Sequence, residues 1–354
     1  MRTPTAGLPA ARRAALGALL FLAFLGGVPA EPADWGRFRE RFVSGDGRVI
    51  DPAQQDASHS EGQGYGLWLA LLHGDRPAFD RVLRWTIDNL QVRKDALFAW
   101  SWGRRPNGSW NVIDYNNASD GDLLIASALL RAAEEWQHPP YREKALAVVR
   151  DIRLHLAFSA GRRRLIAPGY YGFAGQERLL FNTGYVVFPA YLAFAAAEDT
   201  AFWTRILDDA RSLLLEAAAN PFALPPDWVV LEPEQPRLSA ERGPHFGYEA
   251  ARLPLYEAGL PEPLPLFGPF LDWVERSGHL PARVNLAEHT VSTDEAAAGF
   301  HAVFAIAAER RGKRDLARRL LERGRTKITS EADDYYSNAL FLLATAAGGR
   351  RGLR

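Results

Sequence analysis

Apolar residues recur at helical spacing along nearly all of this 354-residue chain, and that period decides what it can fold into. Tyr65, Trp68, Leu69 and Leu72 fall at i, i+3, i+4 and i+7, and Phe79, Val82, Leu83, Thr86, Ile87 and Leu90 make a second stripe. A third runs through Ile125, Ala128, Leu129, Ala132 and Trp136, a fourth through Ala145, Val148, Val149, Ile152 and Leu156. Further runs cover 184–198, 202–218, 248–259, 266–277, 295–310, 314–324 and 334–346. The pattern predicts about eleven helices, one every 25 residues or so. Strand signals are few. RRRLIAPGYYGF (162–173) reads as a small hairpin. The Pro-rich stretch 220–246 reads as a long functional loop over a helical body, because Trp228, Val229, Val230 and Leu231 call for burial. No repeat of fixed period is present, which favours a closed helical barrel over a solenoid.

The first 30 residues stand apart. Arg12 and Arg13 precede the apolar AALGALLFLAFLGGV, and Val28-Pro29-Ala30 follows, the layout of a cleavable secretory signal at 1–30 ahead of one domain at 31–354. The apolar run is short for a membrane span, so no stable membrane insertion is expected after cleavage. The arginine pair leaves general secretory and twin-arginine export both open. Residues 1–30 hold three Arg and no acid, so the remainder carries 39 basic and 42 acidic residues. A net charge of −3 suits neither nucleic acid nor an anionic surface. The chain has no cysteine, hence no disulfides and no thiolate chemistry. Its histidines are scattered, and no ligand spacing suggests a metal or cofactor.

Three stretches can carry chemistry. In DASHSEGQGYGLWLALLHGD (56–75), Glu61 precedes an apolar run and reads either as a first-turn helix residue or as a catalytic acid. In NNASDGDLLIASALLRAAEEW (116–136), Ser119 or Asp120 can cap a helix, with Asp122 in its first turn. The Asp-Gly-Asp pair also suggests a cation site, but no further ligands follow at calcium-loop spacing. In HFGYEAARLPLYEAG (245–259), Glu249 and Arg252 stand at i, i+3. They read as a surface ion pair or as a carboxylate kept ionised for use as a base.

Taken in order, HSEGQGYG, ASDGDLLIASALLRAAEEW and FGYEAARLPLY resemble the signatures of glycoside hydrolase family 8. GDGRVIDPAQQDASHSEGQGYG, FAWSW and NTGYVVFPAYLAFA resemble its periplasmic endo-β-1,4-glucanase subgroup associated with bacterial cellulose synthesis. The resemblance extends from about Arg41 to about Ala308. It implies an all-α (α/α)6 barrel with an open substrate cleft at one end and endo-acting, inverting hydrolysis of a β-1,4-glucan chain. The cellulose synthase complex would be a possible partner and the periplasm the location. By motif position Glu61 would be the general acid, Asp120 the carboxylate at the cleavage subsite, and Glu249 the general base. The family's usual residue at that last position is Asp. Exchanging Asp for Glu moves the carboxylate by roughly 1 Å, an error that can cost about 10²-fold. Glu61 also carries a tension of its own: a helix N-terminus favours a charged carboxylate, whereas a general acid must hold its proton.

Flat rings outside the apolar stripes are candidate sugar platforms: Trp100, Trp102, Trp110, Tyr170, Tyr171, Tyr185 and Tyr248, with Tyr65 beside Glu61. Asn182 and Arg252 are candidates for bonding sugar hydroxyls or orienting the carboxylates. The competing readings are a related hydrolase acting on chitosan, xylan or mixed-linkage glucan, and a weakly active glucan-binding accessory protein. Helical-barrel polysaccharide lyases need a cationic cleft, which the net charge argues against.

Overall fold

The computed structural model describes residues 32–175, 178–232 and 235–348, so the signal expected at 1–30 lies outside the described residues. Twelve α-helices occur among the described residues: α1 Pro32–Phe42, α2 Ser60–Leu72, α3 Arg76–Leu90, α4 Ser119–Glu135, α5 Pro139–Leu156 and α6 Phe188–Ala197. They continue as α7 Thr200–Ala217, α8 Leu253–Glu257, α9 Gly268–Ser277, α10 Ala298–Arg310, α11 Arg314–Ile328 and α12 Tyr335–Gly348. The eleven expected runs are all present. The added helix is α1, whose Phe38 and Phe42 rings pack on Tyr335.

Six helices close a ring. α2 packs on α4, α4 on α6, α6 on α8, α8 on α10, α10 on α12, and α12 back on α2. The others lie outside it: α3 on α2, α5 on α4, α7 on α6, α11 on α10 and α1 on α12. α9 meets α10 through Phe270 and Phe304, whose ring centres are 5.4 Å apart. This is an (α/α)6 barrel, and burial follows the layering. α10 is buried at every residue from Ala298 to Ala308, whereas α11 buries only Leu316, Ala317, Leu320 and Gly324. A helix apolar all round must be covered on every side, while a one-faced helix serves as the cover. Each large apolar side chain so buried contributes about 1.5–3 kcal/mol.

Each outer helix returns the chain, so the inner six run in the same direction and their N-termini gather at one end. The connections differ accordingly. Those leaving inner helices are mostly short, at 73–75, 136–138, 198–199 and 311–313. Those entering them are long, apart from 329–334 before α12, and hold every strand among the described residues. β1 Ser58–His59, β2 Ser101–Arg104 and β3 Trp110–Asp114 form one antiparallel sheet. β4 Ala157–Ala160 and β5 Arg163–Ile166 form a hairpin, and β6 Leu179–Asn182, β7 Trp228–Glu232 and β8 Gln235–Leu238 form a second three-stranded sheet. β9 His245–Phe246, β10 Val284–Asn285 and β11 Thr290–Val291 form a third.

Three sequence expectations are corrected. The hairpin expected at 162–173 lies at 157–166, turning at Gly161 with φ +56°, because Arg163–Ile166 pairs with the chain before it. The segment 220–246 is not all loop: Val229, Val230 and Leu231 are buried as the middle strand of a sheet. The run 248–259 is a 3₁₀ turn at Ala250–Arg252 followed by the short α8.

Candidate active site

The N-termini of α2, α4 and α8 bring the three motifs together. His59, in β1, pairs with Ser101 and is the N-cap of α2, so Glu61 falls in the first turn. α4 begins beside it. Its N-cap is Ala118, not Ser119 or Asp120, which sit inside the helix with Ser119 N–H bonded to the Pro168 carbonyl at 2.8 Å. Gly121 explains the Asp-Gly-Asp spelling. A Cβ there would lie 2.2 Å from Ser60 Oγ and 2.8 Å from Glu61 N, so only glycine lets the two helix ends touch. The flanking acids diverge. Asp120 turns to Arg252, while Asp122 accepts from Asn117 Nδ2 at 2.7 Å and Phe98 N–H at 2.9 Å. Asp122 therefore ties down the connection entering α4, and burial pushes it up to about 7.

Arg252 is the hub. The residue is 1% exposed, and its guanidinium reaches all three carboxylates. Nη1 donates to Glu61 Oε1 and, at 3.0 Å, to Asp120 Oδ2. Nη2 donates to Glu249 Oε2 at 2.5 Å, and Nε to the Glu249 carbonyl at 3.2 Å. The Glu249–Arg252 pair is thus no surface ion pair. Tyr65 donates to Glu61 Oε1 at 3.1 Å and meets Tyr256 hydroxyl to hydroxyl at 3.0 Å. Two donors therefore occupy Oε1 of Glu61. Burial, then the Glu249 charge, raise Asp120 well above the usual carboxylate range. Burial, then the Asp227 charge, push Glu249 up to about 7. A third of the Glu249 side chain stays open to solvent, which screens these effects. Asn182 sits near enough to favour the charged form of Glu249, without hydrogen-bond geometry, and its own Oδ1 caps the turn at Gly184 N–H at 2.9 Å.

The candidate rings fall into three groups. Tyr65 is wholly buried, so its ring is no sugar platform and its hydroxyl serves Glu61 instead. Tyr185 is half-buried beneath Arg252, 5.4 Å from ring centre to guanidinium. Tyr248, 53% exposed, stacks on Tyr336 at 5.9 Å; Tyr336 in turn faces Tyr65. Trp100 stacks on His59 at 5.6 Å, two residues from Glu61. Trp102 and Trp110 form a separate stack on the β1–β2–β3 sheet, 5.4 Å apart, with Arg48 over both rings. Trp102 is packed between Trp85 and Trp110, so the free surface there belongs to Trp110, 43% exposed. Tyr170 and Tyr171 are exposed on the connection entering α6.

Sequence reasoning missed Asp227, Tyr256 and Tyr336. Tyr256 was visible as the i+4 partner of Arg252 within its motif. Asp227 had no local signal, because its partners lie 20 and 23 residues away. Among the described residues no group of three or more His, Cys, Asp or Glu is arranged to hold a metal ion.

Residues 7–350 match the family model described as glycosyl hydrolases family 8. A probable endoglucanase of Novacetimonas hansenii is 35% identical over 91% of this chain and 93% of its own length. Among solved structures, a family 8 endoglucanase from Klebsiella pneumoniae superposes with a TM-score of 0.77 at 33% identity, covering 89% of this chain and 98% of the other. An endo-β-1,4-glucanase from Acetobacter xylinum does so with a TM-score of 0.76 at 32% identity, covering 89% and 96%.

Proposed function

The chain belongs to the glycosyl hydrolases of family 8, and from that premise we propose that it is an endo-acting β-1,4-glucanase that inverts the anomeric centre. Glu61 protonates the leaving oxygen, Glu249 takes a proton from the attacking water, and Asp120 holds the sugar between them. One observation carries this reading: a single buried guanidinium, Arg252, binds three carboxylates delivered by three separate motifs. Three acids brought together at such a cost in desolvation point to chemistry rather than to stability.

The roles follow from position. An inverting pair stands roughly 6.5–9.5 Å apart, with water at the base. Glu61 and Glu249 approach Arg252 at different nitrogens, so the guanidinium keeps them apart. Oε1 of Glu61 already accepts from Tyr65 and Arg252, which leaves Oε2 to carry the proton that is transferred. Asp120 is almost wholly buried and held by Arg252, which suits a residue that binds rather than reacts. Tyr185 and Tyr248 flank the cluster as ring surfaces for the sugar, with Trp100 on the side of Glu61.

Carboxymethylcellulose is expected to lose viscosity ahead of reducing-end release, with chitosan and xylan cleaved far more slowly. Measuring released reducing sugar on all three tests this. Cleavage confined to xylan or chitosan would move the substrate, and no release from any would leave a binding protein.

Residues 1–30 are read as a cleavable export signal that delivers one catalytic domain to the periplasm, where a β-1,4-glucan chain leaving a cellulose synthase complex would be the substrate. The support is the Arg12-Arg13 pair, the apolar run and Val28-Pro29-Ala30. Among the described residues no helix is long and apolar enough to cross a membrane. N-terminal sequencing of the exported protein is expected to begin at Glu31, and a soluble cytosolic chain beginning at Met1 would refute it.

A further inference from the structure

We propose that Asp227 is a positioning residue for the general base: it pins the turn that carries Glu249 and sets a second negative charge beside it. The inference rests on Glu249 being that base.

The geometry is that of a cap supplied from a distance. Asp227 Oδ1 accepts the N–H groups of Gly247 and Ala250, each at 2.9 Å. These bracket Tyr248 and Glu249, and the 3₁₀ turn that follows has no side-chain cap of its own. Asp227 is itself fixed by its main chain, donating to the His245 carbonyl at 2.7 Å and accepting from Thr183 N–H at 3.0 Å. On the other side of the turn stands Gly184. A Cβ there would lie 2.1 Å from the Glu249 carbonyl oxygen and 2.4 Å from its carbon, so the Glu249 backbone rests directly on that glycine. Held between Gly184 and Asp227, the turn has little room to shift. The position of Glu249, whose side chain is one methylene longer than the family's Asp, is therefore set by these two contacts.

The charges around Glu249 come from every side. Asp227 raises its proton affinity, while Arg242 and Asn182 lower it; Arg252 bonds it, and the charge of Asp120 is coupled to it. Arg283 faces Asp227. Burial pushes Asp227 itself up to about 6, so the two acids titrate over one range and their apparent values belong to the pair.

Asp227→Asn keeps an oxygen for both N–H groups and removes the charge. Its KM and melting temperature are expected to stay near those of the parent, while the acid limb of kcat/KM moves down by about one pH unit. Asp227→Ala removes both bonds as well, and kcat is expected to fall toward about 10²-fold with KM changed only a few-fold. An Asn variant whose acid limb stays at the parent position overturns the proposal, and so does a folded Ala variant with kcat within a few-fold of the parent. If the Ala variant does not fold, the Asn profile decides alone. Glu249→Gln separates the two levels. If it stays active, the base reading fails; if it is inactive while both Asp227 variants behave like the parent, only this inference fails.

Discussion

Glu61→Gln is expected to lose about 10²–10⁴-fold in turnover on unactivated glucan, with melting temperature and glucan binding near those of the parent. Gln retains an oxygen to accept from Tyr65 and Arg252, so the contacts at Oε1 survive and the exchangeable proton is what disappears. A leaving group that departs without a proton, such as a dinitrophenolate, should recover much of the loss. The comparison of glucan with an activated aryl glucoside therefore reads out the acid role itself, beyond mere damage. A Glu61→Gln variant that hydrolyses glucan near the parent rate would end the assignment, and one equally slow on both substrates would make Glu61 a positioning group.

Glu249→Gln is expected to abolish hydrolysis to a comparable degree while leaving glucan bound, because the rings and Asp120 hold the sugar and only the base activates water. Burial and the Asp227 charge push Glu249 up to about 7. The base must be unprotonated, so kcat/KM should rise with pH up to that value, and this acid limb should be missing from whatever residual rate Glu249→Gln shows. Azide could replace the activated water and give a glycosyl azide of inverted configuration. Glu249→Asp restores the family's residue with a shorter reach. With the backbone held on Gly184 and Asp227, the shortened carboxylate is expected to lower turnover, toward the roughly 10²-fold of a 1 Å error. Higher turnover in Glu249→Asp would mean that Glu249 is an impaired base in an otherwise standard site. Parent-like hydrolysis by Glu249→Gln would place the base elsewhere.

The helices were legible because period is a local property. Leu316, Ala317 and Leu320 of the outer helix α11 make a one-sided stripe that needs no partner to be recognised. The inner helices were legible as helices but not as a ring. α10 is buried on all sides, and a helix without a polar face gives no sign of which neighbour each side meets. The carboxylates were found by resemblance, and what brings them together was only half visible. The spacing of Glu249 and Arg252 shows a pair, but nothing local shows Arg252 reaching Glu61, 191 residues away. The cap of α4 was misplaced because Ser119 and Asp120 are good capping residues whose backbone had already entered the helix. Asp227 was invisible for the same reason as the hub: its work is done across the fold.

The unequal lengths of the connections have a consequence for how such a protein can change. Every segment that carries a proposed reacting or sugar-holding group enters an inner helix at its N-terminus, whereas the segments at the opposite end are mostly short turns such as 73–75, 198–199 and 311–313. Robustness and specificity are therefore written on opposite ends of the molecule. The rim of long entries can lengthen, shorten or exchange rings and so retune which glycan is accepted, while the ring beneath it stays as it is. The turns at the base can be tightened by proline or better caps without reaching the carboxylates, so gains in thermal endurance there need not be exchanged for speed.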